Sequence, residues 1–313
     1  MNNSIQKKEE ETKKKSYLLK LTSTAKDTID DIKNFSKTIP TSLNISTVTT
    51  QAQKLFAFST EDGDYGIKYL RGKEESKIIH IFVNGFTNDG GIENYDDWLT
   101  KSKNQFRQND LCYGYSWASG KELSNHINEV GKTFLKVKGN IYLGSAFLLT
   151  KVISEWKQAR NNSYAYSESL ANFIEKIYEE NPQKSINLYG HSLGANLLHH
   201  TLQHLHKKKL KVNDVYLFGG AAEINAELWT DILATSNNIY NYYSDNDKIL
   251  KWLYRSMEWS SPIGLNPIVY NNSKNIGNLY NYDVSDVING HTEYTSNFSE
   301  LYLNAKNSKR LLF

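Results

Sequence analysis

The chain has 313 residues, of which 39% are hydrophobic, 12% aromatic and 23% charged; this suits a folded globular protein and excludes collagen-like, wholly disordered and disulfide-scaffold chains. Its single cysteine, Cys112, leaves no internal disulfide, so nothing in the sequence requires an oxidising compartment. The net charge of +3 is unevenly spread: residues 1–60 hold 10 lysines against 6 acids, the remainder sums to −1, and a nucleic-acid enzyme with a basic stripe on its folded body is not expected.

In chain order, residues 1–15 are polar and rich in lysine and glutamate, with no apolar stretch behind them, so no signal peptide is expected. Ile29, Ile32, Phe35 and Ile39 then recur at helical spacing. They predict an amphipathic helix that Pro40 ends, because the residue before a proline is pushed out of the helical region. A helix docked on the body and a helix for a membrane surface or a partner both fit that pattern. Residues 1–52 are therefore predicted to be a basic arm, followed by one folded domain over 53–313.

Within that domain strands and helices alternate. Ile78–Val83 and Leu111–Tyr115 are strand-like apolar runs. Residues 118–162 form a predicted insertion containing the apolar run Ile141–Leu149, for which core packing and a lid over a site are both compatible. A helix is expected over Ser163–Tyr178, stopped by Asn181-Pro182. Ser185–Tyr189 is a short strand, and Ala195, Leu198, Leu202 and Leu205 mark one face of the helix after it. Val215–Phe218, Ile239–Tyr243 and Leu279–Tyr282 are further strands. Helices between strands imply crossovers and a mostly parallel sheet covered on both faces. No stretch reaches the roughly 18 apolar residues of a membrane span. The expected location is cytoplasmic or peripheral to a membrane, with leaderless secretion left open.

Gly190-His191-Ser192-Leu193-Gly194 fits G-x-S-x-G between a predicted strand and a predicted helix, which is the setting of a nucleophile elbow. Ser192 is then the nucleophile, and Gly190 and Gly194 are small because the neighbouring strand and helix pass close. An oxyanion would find the backbone N–H of Leu193 at the helix start, and a second donor, the N–H of Phe86, in the loop Asn84-Gly85-Phe86-Thr87-Asn88. A serine hydroxyl needs a base. His80, His126 and His191 precede Ser192, and His199, His200, His204 and His206 lie on or just after the following helix; His291 remains. The acid should end a strand between Ser192 and His291, where Asp245 and Asp247 both stand, with Asp283 and Asp286 as fallbacks. Asp247 is the first choice and Asp245 the second, one of the two being able to serve as a helix cap instead.

These segments resemble the α/β-hydrolases typified by the eukaryotic transmembrane-and-coiled-coil hydrolases, a family largely without assigned function. The likeness is carried by Ile79–Gly90 (IHIFVNGFTNDG), Asn187–Leu197 (NLYGHSLGANL), Tyr242–Leu250 (YYSDNDKIL), Gly264–Ile268 (GLNPI) and Tyr282–Tyr294 (YDVSDVINGHTEY). The resemblance implies an α/β-hydrolase fold with Ser192, Asp247 and His291 as the triad, Asp247 being the aspartate followed by Lys248-Ile249-Leu250. The expected activity is carboxylic-ester hydrolysis of the lipase or phospholipase kind, without metal or organic cofactor; a membrane-targeting lipase effector or defence protein, and a non-catalytic hydrolase-fold binding module, are the alternatives. The expected partners are a lipid or small ester, with peripheral membrane contact through residues 1–50 or 139–152 and no nucleic acid.

Overall fold

The computed structural model describes residues 58–60, 63–86, 92–120, 143–251, 261–270 and 278–310, with side chains over 65–86, 94–120, 154–251, 261–270 and 278–304. All lie in a unit that begins at Gln51. The expectations placed on residues 1–52, on Thr87 and Asn88, on 121–142 and on the side chains of 143–153 fall outside the described residues.

Among the described residues eight strands form one sheet: β1 (Phe58–Thr60), β2 (Gly63–Arg71), β3 (Ile78–Val83), β4 (Leu111–Ser116), β5 (Ser185–His191), β6 (Val212–Phe218), β7 (Ser236–Tyr243) and β8 (Leu279–Asp283). Their spatial order is β1-β2-β4-β3-β5-β6-β7-β8. From β4 to β8 every pairing is parallel, and β2 runs antiparallel to both β1 and β4. This order, with one antiparallel edge and helical crossovers, is the α/β-hydrolase fold. The chain steps from β3 outward to β4 and then returns to the other side of β3 as β5. Strand order thus reverses at the β3/β5 pair, and an open sheet of this kind has its binding crevice at the strand ends there.

The helices are α1 (Asp96–Ser102), α2 (Leu143–Glu180), α3 (Leu193–Lys208), α4 (Ala226–Thr230), α5 (Glu293–Ser296) and α6 (Phe298–Arg310). The helix expected over Ser163–Tyr178 therefore starts earlier, at Leu143, so that residues 143–162 of the predicted insertion belong to it. The apolar run 143–149 has no polar face, and without a periodicity it could not be distinguished from a separate lid segment. At the other end α2 stops where expected: Asn181 N–H still reaches the Ile177 carbonyl, and Pro182 follows. Helix α3 ends with Lys209 in the left-handed region, its N–H donating back to His206, and Leu210 N–H donating to Leu205.

Alternation along each buried strand sends one set of side chains to each face. On the first face Ile79, Ile81, Leu188, Val215, Leu217 and Ile239 pack under α2 and α3. Those two helices are also tied by Asn196 Nδ2 to Ser163 Oγ, Thr201 Oγ1 to the Ser167 carbonyl and Lys208 to Glu175. On the second face the residues are aromatic. Phe82, Tyr189, Tyr216, Tyr240 and Tyr280 occupy one register row across five strands. Their ring centroids lie 4.7–5.3 Å apart from one strand to the next. A second row, Phe218, Tyr242 and Tyr282, stacks the same way at 4.9 and 5.2 Å. Trp98 of α1 and Phe298 and Tyr302 of α6 cover these rows, and Tyr242 OH donates to the Leu301 carbonyl. Each such aromatic pair adds about 0.5–1.5 kcal/mol beyond its buried area. Cys112 sits in β4, fully buried, and burial pushes its thiol up to about 12, so it packs as a small apolar residue.

Candidate active site

At the end of β5 the chain turns sharply into α3, and the turn residue is Ser192. Its φ of 55° is a left-handed conformation that a residue with a side chain seldom adopts. The neighbouring strand ends hold it there. Ser192 N–H donates to the Phe218 carbonyl at 3.1 Å, and the Ser192 carbonyl accepts from Ala195 and Ala221. Two glycines make room. A Cβ on Gly194 would collide with the Val83 carbonyl oxygen, and a Cβ on Gly85 would lie 2.6 Å from Ser192 Cβ. The loop leaving β3 therefore passes directly against the serine. Leu193 is the first residue of α3, and its N–H has no intrahelical acceptor four residues back.

That loop is fixed by one residue, Asn84. Trp98 Nε1–H donates to its side-chain carbonyl at 2.6 Å, and Trp117 Nε1–H donates to its backbone carbonyl at 2.9 Å. Asn84 Nδ2 in turn donates to the Asn94 carbonyl at 2.7 Å. Two residues on, the Phe86 ring packs edge-on against Trp156 of α2.

His291 lies in the loop after β8. Its Nε2 is 2.8 Å from Ser192 Oγ, and its Nδ1 is 2.6 Å from Asp247 Oδ2. A carboxylate only accepts, so Nδ1 carries the proton and Nε2 presents a lone pair to the hydroxyl. Asp247 is fully buried, and both of its oxygens are occupied: Oδ2 by His291, and Oδ1 by the N–H of Leu250 at 2.9 Å. The cap role and the contact with the histidine, which the sequence presented as alternatives, are thus served by one carboxylate. Asp245 points elsewhere; its side chain is 76% exposed and pairs with Lys251 at 2.8 Å. Asp283 binds the N–H and hydroxyl of Ser285.

The loops carrying Asp247 and His291 are laced together. Ser244 Oγ–H donates to the Ile288 carbonyl, Ser285 Oγ accepts from Asp245 N–H, and Asn246 Nδ2 donates to the Ser285 carbonyl. The D-V-S-D segment, Asp283 to Asp286, thereby acts as the splint between them. Gly264–Ile268 closes the sheet beside it: Gly264 accepts from Ser244 N–H, and Asn241 and Asn281 bond the carbonyls of Ile263, Asn266 and Ile268.

One residue that the sequence treated only by elimination also belongs here. His191 is buried, and its Nε2 lies 2.8 Å from the His291 carbonyl oxygen. Burial, reinforced by the adjacent His291 ring, holds its imidazole down to about 3. The occupant of the first x in G-x-S-x-G was the available sign, but its bond is made to a residue far along the chain. His199, on α3, is buried against Trp229 with its Nε2 toward the Leu228 carbonyl, and His200 faces Gln203. Both lie on the helix flank, as packing residues. Among the described residues no group of three or more His, Cys, Asp or Glu side chains converges to hold a metal ion.

Residues 146–306, more than half of the chain, match the family described as "Protein of unknown function (DUF726)". The chain belongs to that family. It is 31% identical over 155 residues to an uncharacterized membrane protein of Caenorhabditis elegans, covering 48% of this chain and 24% of that protein. It is 28% identical over 156 residues to an uncharacterized membrane protein of Schizosaccharomyces pombe, covering 47% of this chain and 19% of that one. The chain thus spans about a quarter or less of the length of these relatives. Among solved structures it is similar to esterase PE8 (TM-score 0.42, 13% identity, 77% of this chain and 98% of that one). It is also similar to MenH from S. aureus (TM-score 0.40, 12% identity, 78% and 99%). An alpha-beta serine hydrolase homologue from Coxiella burnetii gives TM-score 0.40 at 15% identity over 84% of this chain and 99% of that one. The fold itself rests on the strand order above. Among the described residues no helix is long and apolar enough to cross a membrane.

Proposed function

We propose that the chain is a serine ester hydrolase that works through an acyl-enzyme, with lipid esters as its substrate class. The observation that carries this reading is the relay through His291, 2.8 Å from Ser192 Oγ on one side and 2.6 Å from Asp247 Oδ2 on the other.

In this reading Asp247 keeps the His291 proton on Nδ1 and leaves Nε2 basic. Ser192 Oγ gives its proton to Nε2 as it attacks the ester carbonyl carbon. The negative charge that forms on the carbonyl oxygen meets the N–H groups of Leu193 and Phe86 at the positive end of α3. The imidazolium returns its proton to the leaving alcohol. Water, deprotonated by the same nitrogen, then cleaves the acyl-enzyme and restores Ser192. The cycle balances with ester and water alone.

Two features favour lipid esters. Residues 61–313 are close to neutral, and the apolar run Ile141–Leu149, which from Leu143 on begins α2, offers an interfacial segment. Both curated relatives are named membrane proteins. We therefore assign membrane contact, of the peripheral kind, to residues 1–50 or 139–152, and regard 1–52 as an arm outside the catalytic domain.

A fluorophosphonate probe should label the wild-type chain, and Ser192→Ala should remove both the label and the turnover of p-nitrophenyl and phospholipid esters. A folded wild-type chain that takes no label would sink the reading. Co-sedimentation with anionic vesicles, with and without residues 1–50, assigns the membrane contact; equal binding removes the arm from it.

A further inference from the structure

We propose that His191 positions His291 for proton transfer by holding its main chain: His191 Nε2–H donates to the His291 carbonyl oxygen at 2.8 Å. The inference rests on the ester-hydrolase reading and adds a fourth residue to its working parts.

A carbonyl oxygen can only accept, so the proton of His191 sits on Nε2. The bond joins two segments separated by three strand positions in the sheet. His191 closes β5, next to Ser192, whereas His291 hangs on the loop after β8. Contacts from Asp247 and Ser192 fix the imidazole of His291 at its two ring nitrogens. The bond from His191 fixes the same residue at its backbone, to the very strand that presents the serine. A shift of the loop away from the sheet that opens the gap between Nε2 and Ser192 Oγ would also stretch this bond. Misplacements of about 1 Å at such a gap are enough to cost about a hundredfold in rate.

The contact also has the right charge. The two imidazole rings lie 4.9 Å apart, tilted by 37°, and the Tyr294 ring lies 5.9 Å from that of His191. Around His191 the titratable groups are therefore His291, Asp247 and Tyr294. Burial, reinforced by the adjacent His291 ring, disfavours a charge on His191. A cation in its place would repel the imidazolium that forms during the reaction; a neutral donor does not.

The test uses the full-length chain and p-nitrophenyl butyrate. His191→Phe keeps a planar ring and loses the donor, whereas His191→Gln keeps a donor of similar reach. Expected for His191→Phe is a kcat lower by about 10- to 100-fold with KM little changed and a near-wild-type melting temperature, and His191→Gln should recover most of the loss. The proton shared by His291 Nδ1 and Asp247 supplies a readout that packing alone would not move. Its downfield NMR resonance should persist in wild type, Ser192→Ala and His191→Gln, and should broaden or vanish in His191→Phe. Wild-type kcat together with an unchanged resonance in His191→Phe would overturn the proposal. Should that variant not fold, His191→Met makes the same comparison. If Ser192→Ala hydrolyses the ester as fast as wild type, the hydrolase reading fails, and the resonance alone then decides whether His191 positions His291.

Discussion

Two aspartates two positions apart end up in opposite electrostatic settings, and their burial decides which matters. Asp247 is fully buried with both oxygens satisfied, so its pairing with His291 acts in a medium of low dielectric. Asp245 faces water and pairs with Lys251 at the surface, where an ion pair contributes about 0–1 kcal/mol. Asp247→Asn should therefore lower kcat by about 10⁴-fold, because an amide can turn its N–H toward the imidazole and favour the wrong tautomer. Asp245→Asn should leave kcat within a factor of about two, in line with so small a surface term. Steady-state kinetics on one ester separate the two; equal losses would remove Asp247 from its role. That Ser192, Asp247 and His291 lie in contact could be anticipated from local patterns: an elbow between a strand and a helix, an aspartate at a strand end, a histidine in the expected chain order. The contact of His191 could not be, because elimination by chain order seeks a base, and a supporting bond across 100 residues leaves no trace in local spacing.

Helices and strands converge on the end of β3 as well as on that of β5. Trp98 from α1 and Trp117 from the segment after β4 donate to the same residue, Asn84, so two separate segments hold one residue. Trp117→Phe keeps the packing but leaves the buried Asn84 carbonyl without its donor, at a cost of about 1–3 kcal/mol. Chemical denaturation should register that loss, and kcat should fall more than KM rises, since the loop borders Ser192. Unchanged values in both would show that the clamp is incidental. The strands β3 to β7 could be anticipated because their central residues are buried and read as largely apolar runs, whereas β8, a half-exposed edge strand, was marked by Leu279, Tyr280 and Tyr282. The hairpin of β1 and β2 could not: it lies at the sheet edge, and Gly63 and Gly66 interrupt its pattern. The length of α2 was also hidden, since an apolar run without a polar face gives the same signal whether it begins a helix or forms a separate lid.

At the scale of the whole fold, buried histidines contribute to the response to acid. Burial holds both His191 and His199 down to about 3, whereas an exposed imidazole titrates near 6.5. Between those values the unfolded chain binds more protons than the folded one, so stability falls as the pH falls. Each residue contributes a slope of up to about 1.4 kcal/mol per pH unit. Melting temperatures taken from pH 7 to pH 4 should decline, and His199→Leu should make the decline shallower; a slope unaffected by that substitution would show that His199 is not held neutral. The aromatic rows on the second sheet face act at the opposite end of the scale. Burial pushes the phenols of Tyr189 and Tyr242 well above their ordinary range near 10. These side chains release protons only when the sheet opens, so above pH 10 alkali favours the unfolded chain. Tyrosinate absorbance should rise in two stages, first from surface phenols and then in step with the loss of helical circular dichroism. The stacked rings thus give the protein a built-in optical gauge of its own integrity, readable without any substrate.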